Sequence, residues 1–133
     1  MNFEAIGTAW TPRLLSVLRI AAGLLFLQHG TAKYFQIPAV PNFAKGVDPM
    51  SMVGIAGLLE LVGGVLLILG LFTRPVAFLL SGLMAVAYFM AHAPRAFYPI
   101  LNAGELAALY SFVFLFIAAA GAGPWSIDAI RKK

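Results

Sequence analysis

Six ionisable side chains, Arg19, His29, Lys33, Glu60, His92 and Glu105, lie within or at the ends of stretches otherwise built from apolar residues. An imidazole titrates near neutral pH, and a carboxyl in a low-dielectric setting becomes a matching acid or base. His29, His92, Glu60 and Glu105 are therefore the candidate catalytic residues, in a proton relay or beside a quinone headgroup. Arg19, Lys33, Tyr88 and Asn102 form the candidate cofactor-binding set. Arg19 would pair with Glu60 or fix its charge state, and Lys33 would attract an anionic substrate or headgroup. Two other uses of the histidines compete, bis-imidazole haem ligation and a metal site with Glu60 and Glu105, but no short ligand motif such as His-x-x-x-His supports a metal. A third alternative is purely structural, with the imidazoles bonded to backbone or lipid headgroups. No nucleophile triad, P-loop or dinucleotide fingerprint is present.

Glu60 stands out by position. It is the one charged residue in an apolar run over 50–72, in the context Gly57-Leu58-Leu59-Glu60-Leu61-Val62-Gly63-Gly64. About 20 helical residues cross the hydrocarbon core, which puts Glu60 near mid-membrane. At helical spacing Gly57, Gly63 and Gly64 share its face, so the carboxyl should point at a closely packed neighbouring helix. A structural alternative is a neutral Glu60 bonding two helices together.

The elements that would carry these groups follow from composition. The chain has 133 residues, of which 62% are hydrophobic and 11% charged, far outside the range of soluble domains. The expectation is an all-α integral membrane protein, a single domain forming a four-helix transmembrane bundle with a short C-terminal interfacial helix. The spans are expected over about 12–34, 50–72, 75–92 and 102–120. Thr11-Pro12 reads as the first helix start, and the first run reads as a retained span because no basic residue precedes Thr11. Arg19, Gly23, Phe26, Gly30 and Lys33 fall on one stripe of that span, flanked by Ser16 and His29. Residues 35–49, with three prolines, read as a surface loop long enough to act as a lid. Ser81, Ala85, Tyr88 and His92 form a polar stripe on span three. Asn102 and Glu105 have the spacing of a helix cap with its acidic partner.

Four spans put both termini on one side. That side carries Arg13, Arg74, Arg131, Lys132 and Lys133 against Lys33, Lys45 and Arg95 opposite, so both termini are expected in the cytoplasm. His29, Lys33, His92, Asn102 and Glu105 would then gather near the outer interface above Glu60, lining one outward cavity. The absence of cysteine excludes thiol exchange, disulfides and protein-ligated iron–sulfur clusters within this chain. The small, dispersed net charge of +4 argues against nucleic acid as a partner. The bilayer is the expected partner, and self-association is left open. A weak echo, His29 then Glu60 and His92 then Glu105, suggests a duplicated helical hairpin.

Taken in order, the motifs resemble those of a known family. They are Arg19-Ile20-x-x-Gly23-Leu24-Leu25-Phe26-Leu27-x-His29-Gly30-x-x-Lys33, Glu60-Leu61-Val62-Gly63-Gly64, Gly70-Leu71-Phe72-Thr73-Arg74, Met84-Ala85-Val86-Ala87-Tyr88-Phe89 with His92, Asn102-x-Gly104-Glu105-Leu106-Ala107, and Gly121-x-Gly123-Pro124-Trp125-Ser126-x-Asp128. This set resembles the DoxX family of small membrane proteins over nearly the whole chain. The resemblance implies a four-span bundle in the bacterial cytoplasmic (inner) membrane. It also implies a link to quinone chemistry, because the family is named for likeness to a subunit associated with a terminal quinol oxidase and with thiosulfate:quinone oxidoreductase. Some members are linked to oxidative-stress complexes with partner enzymes. The expected function is thus a membrane redox protein, or a subunit of a quinone-linked oxidoreductase, with quinone as cofactor and redox enzymes as partners. The alternatives are a non-catalytic subunit that docks partner enzymes through its loops and basic tail, and a small-solute or proton transporter.

Overall fold

The computed structural model describes residues 1–132; Lys133, one of the charges expected on the cytoplasmic side, lies outside them. Six α-helices follow in order: α1 (Phe3–Phe35), α2 (Met52–Leu69), α3 (Thr73–Ala87), α4 (Pro99–Asn102), α5 (Glu105–Ala120) and α6 (Ile127–Arg131). A π-helical turn, Tyr88–His92, extends α3, and no strand occurs among the described residues. The first three apolar helices, counting α3 with its π turn, are long enough to cross a membrane. The apolar α5, at 16 residues, covers about 24 Å, somewhat less than the ~30 Å hydrocarbon core. Large apolar side chains such as Leu24, Val62, Phe78 and Phe112 are exposed around the outside. In water such a surface would be untenable, and in lipid it is the expected one. The chain is an all-helical integral membrane bundle.

The first helix begins two turns earlier than Thr11-Pro12 suggests. Asn2 supplies the N-cap, accepting from the Ala5 amide at 3.1 Å, and Glu4 sits in the first turn. The Thr11 hydroxyl, expected as a cap, donates instead to the Gly7 carbonyl at 2.7 Å, and Pro12 lies inside the helix. The expected stripe of α1 is its buried face, which includes Ser16, Arg19, Gly23, Phe26, Gly30 and Lys33.

Packing is pairwise, with α1 mainly against α2 and α3 mainly against α5. Glycines set the first pair. A methyl group on Gly30 would stand 2.9 Å from the Leu61 amide nitrogen and 3.0 Å from the Gly57 carbonyl oxygen, so only glycine allows this approach. Hydroxyls join the second pair. Ser81 Oγ donates to the Ser111 carbonyl at 2.7 Å, and Ser111 Oγ returns a bond to the Ser81 carbonyl at 3.0 Å. Such reciprocal bonds satisfy both hydroxyls where water is absent. Between the pairs, Phe26, Leu67, Phe114 and Ile117 are fully buried. Direct contact of α1 with α5 is sparse.

Span four departs from its expected start. Ala103, at φ 59°, interrupts the helix between Asn102 and Glu105, so Asn102 ends α4 and Gly104 heads α5 without a side-chain cap. Asn102 Oδ1 still accepts from the Gly104 amide at 2.8 Å, a local turn in place of the expected cap-and-acid pair.

Candidate functional site

The register of α1 against α2 decides the partner of Glu60. Gly23 lies against Gly64 and Ile68, and Gly30 against Gly57 and Leu61. The same antiparallel register carries Lys33 to Glu60 and Arg19 a further two turns away, to Leu67. Lys33 Nζ donates to both Glu60 oxygens, at 2.8 and 2.7 Å, with both side chains buried. The expected Arg19–Glu60 pair therefore does not form. Lys33, expected to attract an anionic ligand, already holds a carboxylate. A buried charge pair of this kind persists only with close geometry, because each ion alone costs several kcal/mol in low dielectric.

The 36–51 connection covers this pair. Phe43, on a short 3₁₀ turn over Pro41–Phe43, places its ring 5.3 Å from Lys33 Nζ. Gln36, in the left-handed conformation that ends α1, donates to the Lys33 carbonyl at 3.1 Å and the Phe43 carbonyl at 3.5 Å. The Tyr34 hydroxyl reaches the Gly54 carbonyl at 2.5 Å. The loop is thus tied down over the ion pair by cation–π attraction and side-chain bonds.

Deeper toward α5, His29 meets Tyr110 edge-to-face at a ring separation of 6.4 Å. His29 Nε2 and the Tyr110 hydroxyl are both buried, and neither has a hydrogen-bond partner among the described residues. Their surroundings are aromatic. Tyr110 stacks on Phe114 at 5.3 Å, and Phe26 meets both rings edge-on at 5.5 and 5.1 Å. Inside the bundle Lys33 and Glu60 thus satisfy each other, whereas His29 Nε2 and the Tyr110 hydroxyl are left unmatched among the described residues.

His92, Tyr88 and Asn102 make a separate knot. His92 Nδ1 lies 2.9 Å from the Asn102 carbonyl oxygen, and Asn102 Nδ2 donates to the Tyr88 hydroxyl at 3.1 Å and the Ala96 carbonyl at 3.0 Å. Asn102 is fully buried, and a side chain on Gly104 would collide with Asn102, Tyr88 and His92. This knot fixes the π turn against the head of α5. Glu105 is exposed and makes no hydrogen bond or ion pair among the described residues. The expected single cavity holding both histidines and both glutamates is therefore split into an ion-pair cluster, a knot and an outlying acid. No three His, Asp or Glu side chains converge as a metal site among the described residues.

The DoxX family model matches residues 14–93, more than half of the chain. The chain belongs to the DoxX family. A relative from Haemophilus influenzae, described as an uncharacterized protein, is 47% identical over 124 residues, covering 90% of this chain and 91% of its own. No solved structure matches the chain. The matched DoxX region includes Arg19, His29, Lys33, Glu60, Tyr88 and His92 but ends before Asn102, Glu105 and Tyr110. Tyr110 is absent from the sequence-derived candidates because a lone tyrosine in a run of Leu, Ala and Phe passes for packing. Its one signal is that only it and Ser111 bring a hydroxyl to that span.

At the other end of this DoxX protein, Arg19 is fully buried and satisfied by main chain alone. Its guanidinium donates to the carbonyls of Leu67 (2.7 Å), Trp125 (2.7 Å), Ile68 (3.4 Å) and Ala122. Leu67 and Ile68 belong to the last turn of α2, and Ala122 and Trp125 to the segment after α5. One planar fork thereby joins carbonyls of α2 and of the segment after α5, adding to the bonds that Gly70 N–H gives the Leu67 carbonyl and Ser16 Oγ gives the Ala122 carbonyl. Ser16 accepts from the Trp125 amide at 3.1 Å beside it. Asp128 completes the end, accepting the Phe72 and Thr73 amides that open α3, each at 2.9 Å. Burial pushes the Asp128 carboxyl up, but these amides and the Arg131 guanidinium outweigh it and hold the group below its ordinary value. Arg19 and the Gly121–Asp128 motif act as a structural clasp, far from Glu60.

Proposed function

We propose that this DoxX protein is the quinone-headgroup-binding membrane component of a redox system, and that His29 Nε2 and the Tyr110 hydroxyl are the groups that meet the headgroup. The observation that carries the reading is the pair of buried, unmatched polar atoms, His29 Nε2 and the Tyr110 hydroxyl, set among flat rings. An unmatched buried donor costs about 1–3 kcal/mol, so a ligand carbonyl that accepts from it recovers that cost. Phe26, Phe114 and Tyr110 suit a planar ring, and the sparse α1–α5 seam suits entry from the bilayer. When bound, a quinone supplies two-electron, two-proton chemistry. The chain's part is to orient the headgroup and to hold protons at His29 Nε2 and the Tyr110 hydroxyl, beside the fixed charges of Lys33 and Glu60. The His92 knot and exposed Glu105 drop out of that proton-holding set. Electrons come from a partner enzyme or a reduced sulfur donor, in the cytoplasmic membrane with both termini inside the cell.

The test is saturable binding of a water-soluble quinone to the purified protein, with quinone analysis of its lipid extract. His29→Ala should lower the affinity about tenfold, the equivalent of one hydrogen bond. A protein that carries no quinone and binds none saturably overturns the reading. Anaerobic quinone reduction with thiosulfate as donor then separates an enzyme from a binding subunit.

A further inference from the structure

The end of the bundle opposite the Lys33–Glu60 pair holds a cleft of about 600 Å³, between the α2–α3 turn and the segment leading into α6. Its walls carry Arg74, Arg131 and Lys132, with Asp128 as the one carboxylate. Asp128 is engaged with two main-chain amides, and none of the three cations has a carboxylate within 4.0 Å among the described residues. Arg74 leans one side of its fork on the Ala118 and Ala119 carbonyls, and the Arg131 guanidinium sits 5.1 Å from the Phe72 ring. The cleft is therefore a built, net positive recess.

Its position selects the anion. The cleft lies where α3 begins and α5 ends, at the boundary of the apolar belt, with Phe72 and Trp125 half exposed beside it. Directly along the two helices, Phe78, Leu79, Leu115 and Phe116 present exposed apolar surface. We propose that the cleft binds the phosphate of an anionic phospholipid, whose acyl chains lie against those four side chains. Arginine forks and a lysine suit a phosphodiester, and basic pockets between spans at an interface take acidic headgroups. A free phosphate shares the headgroup chemistry but would leave the apolar surface unused. This inference does not depend on the quinone reading, since it concerns the other end of the molecule.

The test is native mass spectrometry of the delipidated full chain given phosphatidylglycerol or phosphatidylcholine of matched acyl chains. Preferential retention of phosphatidylglycerol is expected. The double variant Arg131→Gln with Lys132→Gln should lower that preference about 25-fold, at about 5-fold for each charge near the surface. Both side chains are exposed, so the fold should survive, as helix content will verify. Arg95→Gln, at the opposite end, should leave the preference unchanged. Equal retention of the two lipids, an undiminished preference in the double variant, or an equal loss with Arg95→Gln overturns the proposal. So does displacement of the lipid by millimolar inorganic phosphate, which would make the cleft a site for free anions.

Discussion

Lys33 holds both carboxylate oxygens of Glu60 inside the membrane, at 2.8 and 2.7 Å, under the ring of Phe43. Removing one member leaves the other charge buried alone. Lys33→Met should therefore cost about 3–5 kcal/mol of stability, whereas Lys33→Met combined with Glu60→Leu should recover most of that loss. Denaturant unfolding in detergent measures both, and strict additivity of the single changes would show the two residues to be uncoupled.

The α1–α2 contact should be the least tolerant of added volume. Gly30→Ala forces a methyl to within 3.0 Å of backbone on α2, which cannot give way as a side chain would. A loss of about 1–3 kcal/mol is expected, read as a lowered midpoint. Gly7→Ala is the control, because nothing lies within 4 Å of the added methyl. It should be neutral or gain about 0.5–1 kcal/mol from better helix propensity.

For the clasp, Arg19→Lys keeps the charge but loses the fork. One ammonium cannot replace a fork that bonds α2 and the Gly121–Trp125 segment together, and a loss of about 1–3 kcal/mol is expected as buried acceptors such as the Trp125 carbonyl go unmet. The C-terminal segment should come loose first. Limited proteolysis near residues 121–126 and a red shift of Trp125 emission report it, and unchanged protection would remove the clasp role.

The buried stripe of α1 and the glycine face of Glu60 are legible in the sequence, because small residues and charges at helical spacing in a lipid setting must face protein. The partner of Glu60 is not, since choosing between Arg19 and Lys33 requires the α1–α2 register, which Gly23 and Gly30 set only once packed against Gly64 and Gly57. Asn102 and Glu105 mislead for another reason. Their spacing fits a cap, but Ala103 in a left-handed conformation breaks the helix between them. The split of His29 from His92 has the same origin as the Glu60 ambiguity, since a stripe on one helix says nothing of which neighbour it meets.

Acid should weaken the clasp end of the bundle through Asp128. Its carboxyl is held below the ordinary value, about 3.9, so the folded state binds its proton less readily than the unfolded chain. The contribution is complete above about pH 4 and is lost as pH falls through the folded-state value. Unfolding midpoints measured from pH 6 down to pH 2 should show that loss in the wild type. Asp128→Asn should start lower and lack it, and identical acid slopes would exclude the group as its source.

Tyr110 offers the sharpest separation of site from scaffold. Its ring is packed on Phe26 and Phe114, but its hydroxyl has no partner among the described residues, so Tyr110→Phe removes no hydrogen bond seen in the fold. Stability should hold or rise slightly, by about 1 kcal/mol at most, as an unmet polar group leaves the interior. Quinone affinity should fall about tenfold in the same variant, because the lost hydroxyl is the one that would meet the headgroup. A destabilised Tyr110→Phe with normal quinone binding would reverse the assignment, making the hydroxyl part of the scaffold and leaving His29 without its counterpart.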